Sequence, residues 1–320
     1  MILSAYSGIG GQAVMEGVMM RNKDNYAVAV RRADGEIVVK KDEYKGVIGN
    51  KTLYKIPIIR GILSFIDSLV LGMSTLNFSS DIYIQGEETA QASEESEDKA
   101  PEGDKDAKTG SAGESALSVI VTIVALILAL GLFMVLPYFA SLLFKPLVGT
   151  GVGLSLIEGV IRLLIFIAYV KVISLMEDIR RVFMYHGAEH KCINCIESGL
   201  PLNVENVRKS SREHRRCGTS FLLYVMVISI IFFAFIQTDI RWMKVVLRVL
   251  LIPVIAGVSY EFIRLAGRSD NALVKIFSKP GMWLQKLTTR EPDDTMIEVG
   301  MRSVEEVFDW QGFLKEQAEE

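Results

Sequence analysis

Thr219-Ser-Phe-Leu-Leu-Tyr-Val-Met-Val-Ile-Ser-Ile-Ile-Phe-Phe-Ala-Phe-Ile-Gln237 carries no charged side chain. A helix of about 20 such residues crosses the ~30 Å hydrocarbon core of a bilayer with its backbone polar groups bonded to one another. Three further runs, 117–137, 154–176 and 243–263, have similar length and character. The positions of Lys and Arg then set the orientation, because basic loops are retained on the cytoplasmic side. Residues 1–63 hold ten of them, 177–218 eight and 264–320 eight, whereas the connections 138–153 and 238–242 hold one each, Lys145 and Arg241. The pattern implies an α-helical integral membrane protein with four transmembrane helices and both termini cytoplasmic. An N-terminal hairpin, the central loop and C-terminal helices would form a cytoplasmic α+β portion.

The composition agrees. Half of the 320 residues are hydrophobic and the mean hydropathy is +0.31. Those values argue against a soluble single-domain enzyme, a disulfide scaffold, a collagen-like repeat or a wholly disordered chain. The formal net charge of −3 conceals segregation, since residues 87–114 alone hold ten acids and three lysines. Such a stretch buries too little to fold, so 86–116 reads as an acidic disordered linker. Residues 1–52 read as a cytoplasmic segment in which 26–31 and 36–40 flank a turn at Gly35 as a β-hairpin. Residues 53–85 read as an interfacial amphipathic helix, with Ile62, Ile66, Leu69, Met73 and Leu76 on one face and Ser64, Asp67, Ser68, Thr75 and Ser79 on the other. The remainder divides into transmembrane helices over 117–176, a site loop over 177–218, two more transmembrane helices over 219–266 and a cytoplasmic tail over 267–320. That tail contains an amphipathic helix from Asp293 onward. The N-terminus lacks the basic-then-apolar order of a cleavable signal peptide.

All three Cys and all three His of the chain lie between residues 186 and 217. Within that window Tyr185-His-Gly-Ala-Glu-His-Lys191 contains H-x-x-E-H, which on a helix puts His186, Glu189 and His190 on one face. Two imidazoles so placed bind a divalent metal, zinc being the expected ion, while the carboxylate acts as general base on a water of lowered pKa. A third ligand is needed, and Glu197, Glu205, His214 and Cys217 are near in sequence; Glu16 joins them if the N-terminal segment folds back. The bland alternative is a histidine pair near the negative end of a helix dipole. Cys192-Ile-Asn-Cys195 has metal or redox spacing, but small semi-buried thiols explain it as well.

Three motifs considered together add a resemblance. They are Gly10-Gly-Gln-Ala-Val-Met-Glu-Gly-Val-Met-Met-Arg21; Tyr185–Lys191 with Asn206-Val-Arg-Lys and His214-Arg-Arg-Cys-Gly-Thr-Ser220; and Thr288-Thr-Arg-Glu-Pro-Asp-Asp294. They resemble the YqhQ-type bacterial membrane proteins over nearly the whole chain outside the acidic linker. The resemblance implies a multi-pass protein of a bacterial inner membrane, of unassigned function and described only as a predicted metal-dependent enzyme. Arg215 and Cys192 depart from that pattern, which argues against Cys192 as an essential ligand.

The expected function is therefore a membrane metalloenzyme, a hydrolase with a cytoplasm-facing site. Glu189 and Glu16 are the candidate catalytic groups. His186, His190, His214, Glu197 and Cys217 are the candidate ligands. Arg21 and Arg290 would position a small-molecule or lipid-linked substrate. No nucleic-acid partner is expected, and an oligomer is compatible with the sequence. Two other classes remain: a transporter, suggested by Glu158 and Arg162 inside the second span, and a scaffold docking a cytoplasmic partner.

Overall fold

The computed structural model describes residues 6–49, 52–95, 112–214, 216–236, 240–268 and 271–319. Four strands, β1 (Ile9–Val14), β2 (Gly17–Asn22), β3 (Asn25–Arg31) and β4 (Ile37–Glu43), form an antiparallel meander in the order β1-β2-β3-β4. The hairpin expected over 26–40 is β3–β4. The glycine-rich segment before it forms a second hairpin, pairing Ile9 with Asn22 and Val14 with Gly17. Period-2 alternation was the missing signal, because this sheet is covered on both sides. Val18, Met20 and Ala29 face one core, and Met19, Val28 and Val30 face another. A strand buried on both faces reads as a continuous apolar run.

One cover of the sheet is α1 (Ile59–Glu95), whose Leu71, Phe78 and Ile82 pack on the face of Met19 and Val28. Its first turn docks on α9 (Arg241–Arg268), where Gly61 lies against Gly257 and Arg60 pairs with Glu261. Of the polar stripe, Asp67, Thr75 and Ser79 are turned inward and buried. Asp67 accepts from the Tyr54 hydroxyl at 2.8 Å and the Val47 amide at 2.8 Å. The apolar stripe faces outward, with Leu69 and Met73 54% and 55% exposed. The helix outruns its expected end as well. Residues 86–95 belong to it, Glu, Ala and Gln being good helix formers, and 112–116 belong to the next helix, while the linker stretch 96–111 lies outside the described residues.

Next come α2 (Ala112–Leu130), a π-helical turn (Gly131–Val135), α3 (Leu136–Leu142), α4 (Lys145–Val148) and α5 (Val152–Ile173). After a break at 174–176 the chain bends by 99° into α6 (Glu177–Glu197). The segment expected as a loop is thus mainly helix, with α7 (Val204–Lys209) after it. The order closes with α8 (Gly218–Phe235), α9, α10 (Ala272–Thr288), α11 (Asp294–Val307) and α12 (Trp310–Glu319). Asp293 caps α11, its carboxylate accepting from the Met296 amide at 2.9 Å, as expected of an acid at a helix start.

Among the described residues, four helices are long and apolar enough to cross a membrane: Ile59–Gly86, Ile123–Leu142, Gly218–Phe235 and Val246–Ala266. The bent pair α5–α6 is a fifth candidate. Beside them stands a layered unit, α1 on one face of the sheet and α6 with α11 on the other. The second face is the larger core, built on Tyr185, Ile193, Ile196, Met296 and Ile297.

Candidate metal centre

Helix α6 crosses the sheet with His186 and His190 one turn apart. Each imidazole is held by a backbone carbonyl: His186 Nδ1 is 2.8 Å from Thr288 O and His190 Nδ1 is 2.6 Å from Arg212 O. A carbonyl oxygen only accepts, so both Nδ1 atoms carry a proton. In the neutral rings the lone pairs are then on Nε2, the arrangement by which proteins orient metal-binding histidines. Both Nε2 atoms point toward Cys217, which caps α8 and accepts from the Thr219 amide. His186 Nε2 is 3.2 Å from Cys217 Sγ. His190 Nε2 is buried and has no hydrogen-bond partner. All three donor atoms lie within 4.8 Å of one another. Nitrogen and sulfur ligands around tetrahedral zinc sit roughly 3.6 Å apart, so the trio closes on a cation with little movement. Imidazole and thiolate donors suit zinc rather than magnesium or calcium.

In the ion-free site the electrostatics favour an imidazolium–thiolate pair, so a cation would have to displace the proton from His186 Nε2. Burial opposes charge on His186, but the Cys217 sulfur and Glu189 push its pKa up to about 9. Burial would likewise raise Cys217, yet His186 and His190 hold it well below the usual thiol range. The thiolate is therefore favoured, as a ligand needs. Glu189 is raised above the ordinary carboxylate range, chiefly by burial; its Oε2 is buried without a partner.

Glycines explain how three distant motifs meet here. A Cβ at Gly11 of β1 would come within 2.9 Å of Glu189 Cδ and 2.7 Å of Met19 O. A Cβ at Gly187 would come within 2.0 Å of Arg290 O. Without those glycines neither β1 nor the loop after α10 could lie flush on α6. That loop supplies the Thr288 carbonyl, while Gln285 of α10 bonds both backbone groups of His214. Gly11, Thr219, Gln285 and the Thr288 carbonyl were not among the expected site residues. Backbone carbonyls leave no trace in a motif, and Gly11 was visible only as part of a glycine-rich run.

Other expected site residues go elsewhere. The Glu197 carboxylate is engaged by Ser7, Arg216 and His214, whose Nε2 is 3.6 Å away; His214 and Glu197 thus hold each other instead of joining the trio. Glu16, in a left-handed turn at φ 48°, bonds Arg181 at 2.5 Å and the Tyr185 hydroxyl at 3.2 Å. Arg181 is eight residues, about 12 Å along the helix, from Glu189. Strand alternation turns Arg21 to the far side of the sheet, where it bonds the carbonyls of Lys23 and Tyr44. Arg290 does lie in the loop against α6, and its Nε is buried without a partner. Glu205 pairs with Lys209 in solvent. Cys192 and Cys195 are wholly buried, and burial raises both thiols.

Comparison with known proteins follows the same boundaries. Residues 56–310 match the family described as "Protein of unknown function (DUF1385)". The chain belongs to this family. It is 37% identical over 300 residues to the "Uncharacterized protein YqhQ" of Bacillus subtilis (strain 168), covering 93% of this chain and 92% of that protein. No solved structure matches. The family match takes in α6, Cys217 and the 288–294 loop, while Gly11 and the first two hairpins precede it.

Proposed function

We propose that this chain is a multi-pass enzyme of the bacterial inner membrane, a metal-dependent hydrolase whose site faces the cytoplasm. The observation that carries the reading is the convergence of His186 Nε2, His190 Nε2 and Cys217 Sγ, with both Nδ1 atoms occupied by carbonyls. Three protein ligands leave one position of a tetrahedral ion open, as hydrolytic zinc sites do. A divalent cation held there would polarise a substrate oxygen and lower the pKa of a water toward ~7. The chain's own part is to keep the two lone pairs and the thiolate aimed at one point. Glu189 then takes the proton at Oε2, its raised pKa placing it nearer neutrality than a solvated carboxylate. Arg290 is the candidate contact for an anionic group on the substrate. Cys217 immediately precedes α8, a candidate span, which favours a substrate drawn from the membrane surface, and the basic segments 1–63, 177–218 and 264–320 favour a cytoplasmic site.

Elemental analysis of the full chain, purified in detergent without chelator, tests the reading. About one zinc or other divalent ion per chain is expected, lost in the His186→Ala/His190→Ala double variant. Metal-free wild type that stays metal-free after incubation with zinc overturns it. Rapid alkylation of Cys217 by iodoacetamide in that metal-free protein would assign the thiolate to nucleophilic chemistry instead.

A further inference from the structure

The apolar helices enclose a second polar cluster, remote in sequence from the metal centre. Glu158 and Arg162 sit one turn apart on α5, and Arg248 reaches them from α9; they are 2%, 4% and 4% exposed. Their cover is the chain's own side chains. Arg248 donates Nη1 and Nη2 to Glu158 Oε1 and Oε2 at 2.5 and 2.8 Å, and Arg162 Nη2 donates to Oε1 at 2.8 Å. Among the described residues no other acid pairs with either guanidinium. One carboxylate against two guanidiniums leaves a formal charge of +1 in an apolar interior. A buried charge without a counter-charge is strongly unfavourable.

The chain compensates in part. The Phe233 ring has both guanidinium carbons over it, at 5.2 and 5.1 Å. Arg162 Nε donates to the Phe133 carbonyl at 2.9 Å, in the π-helical turn Gly131–Val135, where the wider backbone pattern marks a site of altered hydrogen bonding. Ser229 Oγ is 3.5 Å from Arg162 Nη1. Neither a ring quadrupole nor a carbonyl cancels a full charge, and Arg248 Nε remains buried with no partner. Ser155 Oγ, one turn before Glu158 on the same face, is also buried and unpartnered. Buried polar atoms left so call for an ion or water.

We propose that Arg162 and Arg248 form a binding site for one small monovalent anion of halide size between α5, α8 and α9. A single excess charge asks for a single negative charge, and the enclosing side chains favour a small one. The site makes the stability of the apolar helices depend on the anion present, independently of whether a metal binds between His186 and Cys217.

The test uses the full-length protein in detergent and in nanodiscs of neutral lipid. Thermal unfolding is followed in sodium chloride, bromide and gluconate at equal ionic strength, and 35Cl line width reports chloride binding directly. Wild type is expected to gain stability saturably with chloride and bromide but not gluconate, and to broaden the 35Cl line. Arg248→Gln or Arg162→Gln leaves a neutral pair and removes both effects. Glu158→Gln raises the formal charge to +2 and lowers the half-saturating halide concentration by roughly tenfold, about 1.4 kcal/mol of binding. A cluster that merely rivets three helices would lose stability in all three variants with no change in halide response, which overturns the proposal. So does wild type without excess 35Cl broadening, even if the variants fail to fold. Stabilisation by anionic lipid alone, with no halide effect, also overturns it.

Discussion

Two histidine clusters lie side by side, with the His190 and His214 ring centroids 5.7 Å apart, and they are built for opposite ends. In the first, Nδ1 is spent on a carbonyl and Nε2 is left aimed at a thiol. In the second, the His214 ring is hemmed in by Glu197 and Arg216, with the Tyr6 ring stacked 4.3 Å beneath that guanidinium. Burial lowers the pKa of His214, whereas the neighbouring thiolate and Glu189 raise that of His186 against the same burial. Helical spacing singled out His186 and His190, and proximity in sequence left His214 as one of the candidate third ligands. What separates them is what Nε2 faces: the Cys217 sulfur for His186, a carboxylate and a guanidinium for His214.

The largest expected effect breaks the comparison outright. His190→Ala should drop bound metal from about one ion per chain to background, while His214→Ala should keep it, as read by elemental analysis on the same preparations. Equal loss in both would mean that the two clusters act as one site. Next comes Glu189→Gln, which leaves the three ligands in place and removes the proton acceptor. Metal content should be unchanged, and metal-dependent hydrolysis of p-nitrophenyl esters should fall ~10²–10⁴-fold, the usual contribution of a general base. Hydrolysis that survives with a normal rate would remove Glu189 from the chemistry.

The sequence carried the first cluster better than the second because helical period is a local property. H-x-x-E-H put His186, Glu189 and His190 on one face before any fold was known, and the apolar runs similarly marked α8 and α9. The choice among Glu197, His214 and Cys217 could not be read the same way, since it depends on how the chain returns after α7. Gln285, 71 residues away, fixes the position of His214 by gripping its backbone. The placement of Glu16 was hidden for a related reason: its partner Arg181 lies 165 positions on. For helix α1 the stripe pattern fixes that two faces differ, not which one meets protein.

The second cluster makes its own prediction through Glu197. Burial alone would raise this carboxyl, but His214, Arg216 and Ser7 hold it down to about 2 against an ordinary value of 4.5. A depressed pKa adds stability that is fully present above the unfolded value and lost as pH falls toward the folded one. The contribution at neutral pH is roughly 3 kcal/mol, disappearing between about pH 4.5 and pH 2. Denaturation midpoints of wild type and Glu197→Gln should therefore converge across that window, with wild type ahead above it. Parallel curves would show that Glu197 does not lock the loop bearing His214. The metal content of Glu197→Gln should match wild type, which keeps this effect apart from the first cluster.

The smallest expected effect sharpens the boundary of the first cluster. Thr219 Oγ1 is 3.0 Å from Cys217 Sγ and 3.3 Å from Thr288 Oγ1, so one hydroxyl stands between the thiol and the residue whose carbonyl orients His186. Hydrogen bonds to a ligand tune its donor strength and direction. Thr219→Val keeps the volume and the backbone N–H that also reaches the sulfur at 3.3 Å, removing only the hydroxyl. Zinc affinity, measured by competition with a chromophoric chelator, should weaken by roughly tenfold, the lower end of such outer contacts, and Thr219→Ser should restore it. Because His214 makes no contact with this hydroxyl, the Thr219→Val effect should persist unchanged in a His214→Ala background. If it vanished there, the tuning would run through the second cluster and the division between the two would fail.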